Sequence, residues 1–387
     1  MQNLKRPGSF PGFPKNYTRN CRKKTHYNNM GVRYPAETDQ FYQTVSERIE
    51  QYFNASQNSR LANPFFYLKA SILVAFYLGC YWMLLMCEST LYAVIAMICM
   101  GPLAILIGIN VAHDAAHSAI SSKAWVNRTF LHLFDMLGAN SYMWRMRHVF
   151  SHHSFPNILH EDADLKQNPL VRIFPTDVLH KIHKYQFIYA PFLYLLYTIN
   201  WLYFRDFKDF KARKIGSLTH PRHPSWEWIK LFLFKSLYLF AMIVLPLAIS
   251  PLSSTWFIVG FLCMNFAASI TITLALIPSH VAEHSRFPLP DNEGLMPHSW
   301  SHHQVLTVID FATQNWMLNL LFGGFNHHVT HHLFPGICHV HYPKLTPIIA
   351  QTCREYGLDY RHESSFLNAY FAHYRLLKNN GINVSLP

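Results

Sequence analysis

Long apolar runs alternate with polar, charged segments along this chain. Four of the runs are long enough to cross a hydrocarbon core of about 30 Å as helices. They cover roughly residues 65–87, 90–112, 229–249 and 255–277. Only Glu88 and Ser89 separate the first two runs, and a short Ser/Pro-rich turn separates the last two. The pattern predicts an all-α, multi-pass integral membrane protein with four transmembrane helices.

A fifth apolar run, Phe187–Phe204, is also long enough to span by hydropathy alone. It carries four Tyr, one Trp and an internal Pro191, and Lys184 and Arg205 flank it, which is typical of a helix at headgroup level. If it crossed, the histidine clusters on its two sides would face opposite sides of the membrane. We therefore predict an in-plane interfacial or re-entrant segment, with an ordinary fifth span as the alternative.

The composition supports the membrane assignment, and the distribution of charge predicts how the protein is oriented in the membrane. Charged residues make up 14% of the chain, against about 25% in soluble domains. The first sixty residues carry ten Lys and Arg, whereas the two short turns between spans carry none. Because Lys and Arg are retained on the cytoplasmic side, both termini and the histidine clusters are predicted to be cytoplasmic, in a bacterial inner membrane or its equivalent.

The net charge of +12 does not indicate nucleic acid, because the basic residues are spread along juxtamembrane segments and attraction to membrane lipid explains them. Seven cysteines without a C-x-x-C pair predict neither a disulfide framework nor a zinc ribbon. We divide the chain into a basic cytosolic region (1–60), a membrane domain (61–375) and a C-terminal tail (376–387). Residues 38–53 are predicted to form a surface helix.

Nine of the 25 histidines form three clusters and one singleton beside the apolar runs. Neutral imidazole is the commonest protein metal ligand, and helical residues three or four apart share one face. The second histidine of each adjacent pair points about 100° away, so one cluster could serve two metals. The candidate ligands are His113, His117, His148, His152, His153, His280, His328, His331 and His332.

The metal is predicted to be iron rather than hydrolytic zinc. There is no H-E-x-x-H motif, and nine imidazoles are too many for one tetrahedral ion. Two metals that share nine imidazoles and keep open positions suit oxygen activation by iron. Acidic neighbours could accept the second N–H of bound imidazoles, and Asn326 could hold a metal-bound water. These supporting candidates are Asp114, Asp162, Asp164 and, with an equal chance of being an ordinary exposed acid, Glu161.

Three histidine boxes resemble those of the membrane fatty acid desaturases: HDAAH (113–117), HVFSHH (148–153) and HHVTHHLFP (327–335). The longer stretches at 144–159, 279–287 and 323–345 are similar to the cyanobacterial acyl-lipid delta-6, or front-end, branch. The similarity in order and spacing covers about residues 65–375.

The resemblance implies a membrane bundle whose cytosolic helical cap holds two non-haem iron ions, bound by the nine histidines named above. It also implies O2 as co-substrate, a cis double bond as product, and a fatty acyl lipid or acyl-CoA as substrate. The chain shows no His-Pro-Gly-Gly haem motif, so a separate electron donor is expected, a ferredoxin or a small cytochrome. Two departures stand out: front-end members typically have Gln where this chain has His328, and some animal members have a metal-water Asn where it has Leu276.

Two alternatives stay open on the sequence alone. Box residues do not separate a second hydrogen abstraction from oxygen rebound, so a lipid hydroxylase, ketolase or epoxygenase on the same scaffold is one. The other is a metal-transporting or metal-sensing membrane protein that binds zinc. Against the transporter, every cluster lies at or beyond the ends of the spans rather than near the bilayer midplane.

Overall fold

Four helices in the computed structural model are long and apolar enough to cross a membrane. The structure describes residues 31–36, 39–165 and 168–382. A surface helix, α1 (Gln40–Ser56), precedes the spans, as predicted. The spans are α2 (Pro64–Met86), α3 (Thr90–Ala116), α8 (Ser225–Ile249) and α9 (Ser254–His280). The predicted four-span, all-α membrane architecture is confirmed at this level.

Shorter helices and two small sheets lie among the remaining described residues. Strands β1 (Lys214–Ile215) and β2 (Leu218–Thr219) pair antiparallel, and β3 (Asp310–Phe311) and β4 (His362–Glu363) pair in parallel. The short helices are α4 (Ala124–Met136), α5 (Ser141–Arg147), α6 (Gln186–Tyr194), α7 (Tyr197–Lys211), α10 (Trp300–Thr307), α11 (Trp316–Leu321), α12 (His328–Leu333), α13 (Tyr342–Glu355) and α14 (Phe366–Gly381).

The spans present large apolar side chains outward, as a helix surrounded by lipid does. Examples that are more than half exposed are Phe76, Trp82, Leu91, Phe232 and Ile258. Inside the bundle, α3 and α9 come close together at Gly101, where a Cβ atom would collide with the Met264 carbonyl oxygen. A small residue at such a contact lets two membrane helices approach at backbone distance.

The fifth apolar run is broken. Residues Lys181–Tyr194 and Tyr197–Lys211 form two arms that meet at a bend of 71°. Near the bend, Thr198 Oγ1 donates to the Asn265 carbonyl oxygen at 2.9 Å. Asn265 lies fifteen residues before the end of α9, roughly 22 Å along its axis. The bend therefore lies against the middle of a span.

The outer ends of both arms contact the segments around the histidine boxes. In the first arm, His183 Nε2 hydrogen-bonds the Pro169 carbonyl oxygen at 2.9 Å. In the second arm, Asp206 and Asp209 accept hydrogen bonds from Arg147 at 3.1 and 3.0 Å. Because Arg147 directly precedes His148, this buried ion pair fixes α7 beside the second box.

A span lysine joins the same buried charge network. Lys235 in α8 donates from Nζ to Asp206 Oδ2 at 2.8 Å and to the Gly138 carbonyl oxygen at 2.6 Å. Asp206 is completely buried and is shared by the two cations. Such a charge is tolerated in a low-dielectric interior because it is paired and hydrogen-bonded.

Of the two predicted segment boundaries, the one at 60–61 lies between α1 and α2, and the one at 375–376 lies within a helix. Much of the basic region 1–60 lies outside the described residues, but α1 within it buries Phe41, Val45, Ile49 and Phe53 in a core with α13. The boundary at 375–376 falls inside α14, where Leu376 and Leu377 are fully buried. Residues 383–387 of the predicted tail lie outside the described residues.

Candidate metal centre

The nine predicted histidines converge at one end of the helix bundle. His113 lies in the last turn of α3 and His280 is the last residue of α9, whereas both were expected just beyond the helix ends. Eight of the nine fall into two groups whose ligand atoms lie within 4.8 Å of one another. The first group is His113, His117, His148 and His331, and the second is His152, His280, His328 and His332.

The ninth histidine, His153, lies between the groups. Its Nε2 is 3.1 Å from Nε2 of His148 in the first group. Its ring centroid lies 4.5 Å from His331 and 4.3 Å from His332, one member of each group. His153 therefore contacts both groups while its Nε2 faces the first.

A π-helical turn, His148–His152, distributes the second box between the groups. The amide of His153 donates to the His148 carbonyl oxygen at 3.0 Å, five residues back instead of four. The wider turn brings His153 beside His148 and directs His152 into the other group, although a regular helix places residues four apart on one face. In α12 the helix is regular, and His328 and His332 share a group as the spacing predicts.

The geometry and chemistry of the imidazoles fit metal ligands. The buried Nε2 atoms of His117, His331 and His332 have no hydrogen-bond partner among the described residues. A buried polar atom left without a partner costs free energy unless something such as a metal ion satisfies it. Burial holds the pKa of His153 and His328 well below the ordinary value, and neighbouring imidazoles lower it further. The neutral, metal-binding form is thereby favoured.

Two predicted carboxylates support ligands of the second box. Asp162 is buried and accepts a hydrogen bond from His152 Nδ1 at 2.9 Å, and half-buried Asp164 accepts from His148 Nδ1 at 2.8 Å. Burial opposes ionisation of Asp162, but the adjacent His152 lowers the carboxyl pKa below its usual value. Glu161 instead forms a peripheral ion pair with Lys214 at 2.7 Å.

Asp114 serves a different partner from the one its place in the first box suggests. Its Oδ1 is 3.6 Å from His113 Nδ1, beyond hydrogen-bond distance. Its Oδ2 instead accepts from His339 Nδ1 at 2.8 Å and from the His339 backbone N–H at 3.1 Å. The His339 Nε2 in turn lies 2.6 Å from Nζ of buried Lys69 in α2. These hydrogen bonds connect the first box to the first span.

Asn326 and three residues that were not predicted from the sequence lie around the imidazole groups. Asn326 donates to Asn319 Oδ1 at 2.6 Å. Gln304 Oε1 accepts from His332 Nδ1 at 2.8 Å, and the Tyr342 hydroxyl lies 3.3 Å from His331 Nδ1. Trp144 stacks on His148 with ring centroids 4.3 Å apart. Only Trp144 lies near a box in sequence, four residues before His148, so it alone carried a signal that sequence reasoning could have used.

A cavity of about 540 Å³ lies against the two imidazole groups. Its walls include His113, His148, His152, His280 and His328. Leu276, at the position where some animal desaturases have Asn, is part of the apolar wall, and α6 and α7 supply much of the rest. The volume falls in the range of sites that enclose an organic ligand, so an apolar chain inside would pass directly beside the imidazoles.

The membrane bundle and its nine converging histidines fit the membrane-bound fatty acid desaturases that the three boxes resemble, and sequence comparison shows the family. Residues 88–364 match the fatty acid desaturase family, so the chain belongs to that family. It is a fatty acyl desaturase, an oxidoreductase that introduces double bonds into fatty acyl chains.

Individual relatives narrow the comparison. The chain is 33% identical over 345 residues to an sn-1 linoleoyl-lipid 6-desaturase of Synechocystis sp., covering 88% of this chain and 95% of the relative. A protein of the same name from Arthrospira platensis is 31% identical, with 89% and 93% covered. An acyl-lipid (8-3)-desaturase of Physcomitrium patens is 31% identical, with 90% of this chain and 73% of the relative covered.

Proposed function

We propose that this desaturase acts on the acyl chain of a membrane glycerolipid and binds two iron ions in the two imidazole groups. His113, His117, His148, His153 and His331 would hold one ion. The second would be held by His152, His280, His328 and His332. The observation that carries the proposal is the pair of convergent groups, with buried Nε2 atoms that lack partners among the described residues. When bound, iron supplies the dioxygen chemistry needed to remove hydrogen from unactivated methylenes.

The protein's own residues hold the substrate and the ligands. The apolar wall of the 540 Å³ cavity binds the acyl chain and excludes water, while its histidine wall fixes which methylenes face the metal positions. Asp162 and Asp164 keep His152 and His148 in the tautomer that leaves Nε2 free for metal. Gln304 does the same for His332.

A lipid-borne substrate is favoured over acyl-CoA by relatives and by charge. Three relatives are named as acyl-lipid or linoleoyl-lipid desaturases. Among the described cationic side chains on the cavity wall, Arg147 is buried against two aspartates, Arg205 is paired with Asp209, and Lys208 is exposed. One exposed cation among these described residues is a poor match for the several phosphate charges of coenzyme A.

The proposal also includes an orientation in the membrane. We infer that the bent pair α6–α7 enters and leaves the bilayer on the cytoplasmic side as a re-entrant segment. The contacts of both outer ends with the box segments support this inference, as does the contact of the bend with the middle of α9. The histidine-bearing cap and both termini would then be cytoplasmic, within reach of a soluble ferredoxin or small cytochrome as electron donor.

Expression in a host of defined lipid composition tests the function. We expect a new cis double bond in glycerolipid acyl chains, dependent on oxygen, and about two iron atoms per chain in purified protein. Hydroxy or epoxy acids without a new alkene would indicate oxygen rebound instead. Zinc in place of iron, with no oxygen-dependent product, would contradict the diiron assignment.

A further inference from the structure

Three half-buried aromatic side chains form a group beside the metal centre, which we call the aromatic cluster: Tyr42, Trp300 and Phe334. The Tyr42 ring stacks on Phe334 with centroids 5.6 Å apart and meets Trp300 edge-on at 5.7 Å. The cluster packs against the core that joins α1 to α13. None of its members lines the described acyl-chain cavity.

The aromatic cluster contacts the backbone of the central histidine. Trp300 Nε1 donates a hydrogen bond to the His153 carbonyl oxygen at 3.3 Å. One turn further along α10, Gln304 hydrogen-bonds His332, and Phe334 follows His332 by two residues. Covalent bonds and hydrogen bonds thus connect the aromatic cluster with two histidines. One is His153, which contacts both imidazole groups, and the other is His332 of the second group.

The reaction requires electrons to arrive from outside the protein. Two adjacent methylenes, one dioxygen molecule, two electrons and two protons give one alkene and two water molecules. A donor of the iron–sulfur or haem class supplies the electrons singly. Tunnelling weakens steeply with distance, and a route through bonds and hydrogen bonds carries an electron better than an equally long gap.

We propose that electrons from the donor protein reach the metal centre through the aromatic cluster, principally from the Trp300 indole to the His153 peptide. The inference rests on the proposed diiron function. Other candidates near the ligands are less suitable. Trp144 stacks on His148 but lines the cavity, where an acyl chain would cover it. Arg147, next to the second box, is also unsuitable, because a guanidinium does not relay electrons and this one is buried and paired with Asp206 and Asp209.

The test compares donor-driven with chemically driven turnover in the full-length protein. Trp300→Phe keeps an aromatic ring but removes the indole N–H, and Trp300→Leu removes the ring. Product formation in cells depends on the host's donor, and we expect it to fall about tenfold in the Leu variant and less in the Phe variant. Iron content and the single-turnover yield of purified, dithionite-reduced protein with oxygen should match those of the unmodified chain.

A matched control is Trp125→Phe, which alters a 64% exposed tryptophan; the ring contacts between tryptophan and the nine histidines among the described residues all involve Trp144. It should leave both yields unchanged. Unaltered donor-driven turnover in Trp300→Leu would overturn the proposal. Parallel loss of iron and of dithionite-driven product would also overturn it, because Trp300 would then act only in packing. Absence of any new double bond with the unmodified chain would instead contradict the proposed function.

Discussion

The Nε2 atom of His328 lies 2.9 Å from Nε2 of His280, although 48 residues separate them. The contact joins the start of α12 to the last residue of α9, and His152 Nε2 lies 3.1 Å from the same atom of His280. Three separate segments therefore meet at one point. His328, at the position where front-end desaturases typically have Gln, is therefore a member of the second imidazole group.

Replacing His328 tests its place in that group. His328→Ala should abolish the double bond and lower the iron content while the protein stays in the membrane, because one of four converging imidazoles is lost. His328→Gln should retain part of the activity, since an amide oxygen can occupy a ligand position. Fatty acid profiles and iron analysis measure both effects. Full activity in the Ala variant would refute the assignment of His328 as a ligand.

Removing the carboxylate behind His152 should weaken metal binding without removing a ligand. Asp162→Ala leaves His152 Nδ1 without its acceptor, and changes of this kind lower metal affinity by about 10–100-fold. Iron retained during dialysis against a chelator measures the effect. Glu161→Gln is the matched control, because Glu161 contacts Lys214 at the periphery. If Asp162→Ala lost no more iron than Glu161→Gln, the contact between Asp162 and His152 would be unimportant for metal binding.

Asp206 should be more important to stability than Lys235, one of the two cations that it binds. Asp206→Ala leaves both Arg147 and Lys235 buried without that carboxylate, and removal of one partner from a buried pair costs about 3–5 kcal/mol. Lys235→Met removes one charge and keeps an apolar chain of similar length, so its cost should be smaller. Thermal unfolding in detergent ranks the two. A more damaging Lys235→Met would contradict the shared-carboxylate description.

The wall between two cavities should limit acyl chain length. A smaller apolar cavity of about 60 Å³ lies among the spans and shares Ile109, Phe134, Trp201 and Ile272 with the 540 Å³ cavity. Ile272→Val thins the shared wall at a cost of about 0.5–1.5 kcal/mol and should raise the proportion of longer desaturated chains. Ala104→Leu fills the smaller cavity and should do the opposite. Fatty acid profiles that move in the same direction, or not at all, would exclude this role.

Side-specific reporters test the re-entrant segment. Tags inserted beside Lys184 and Lys208, on the two sides of the bend, should both report the cytoplasmic side. Tags in the turns at 88–89 and 250–254 should report the other side and serve as controls. Opposite locations for Lys184 and Lys208 would make the bent pair a fifth span and would separate the histidine clusters.

The sequence predicted those features that local pattern determines. Apolar runs locate the spans, and Phe187–Phe204 differs from them because all histidine clusters must share one side of the membrane to form one site. Local pattern could not reveal the π-helical turn at His148–His152, because box spacing assumes a regular helix. Local pattern also could not reveal the contact of Gln304 with His332 or that of Asp114 with His339, because these contacts join residues 28 and 225 positions apart.

Two ligand-bearing segments each contribute to both imidazole groups. The second box supplies His148 to the first group and His152 to the second, while His153 Nε2 faces the first. Helix α12 supplies His331 to the first group and His328 and His332 to the second. An ion that binds first in the first group would therefore also order three of the four ligands of the second group. We expect iron uptake to be cooperative, with chains that hold a single ion scarce at every stage of a titration.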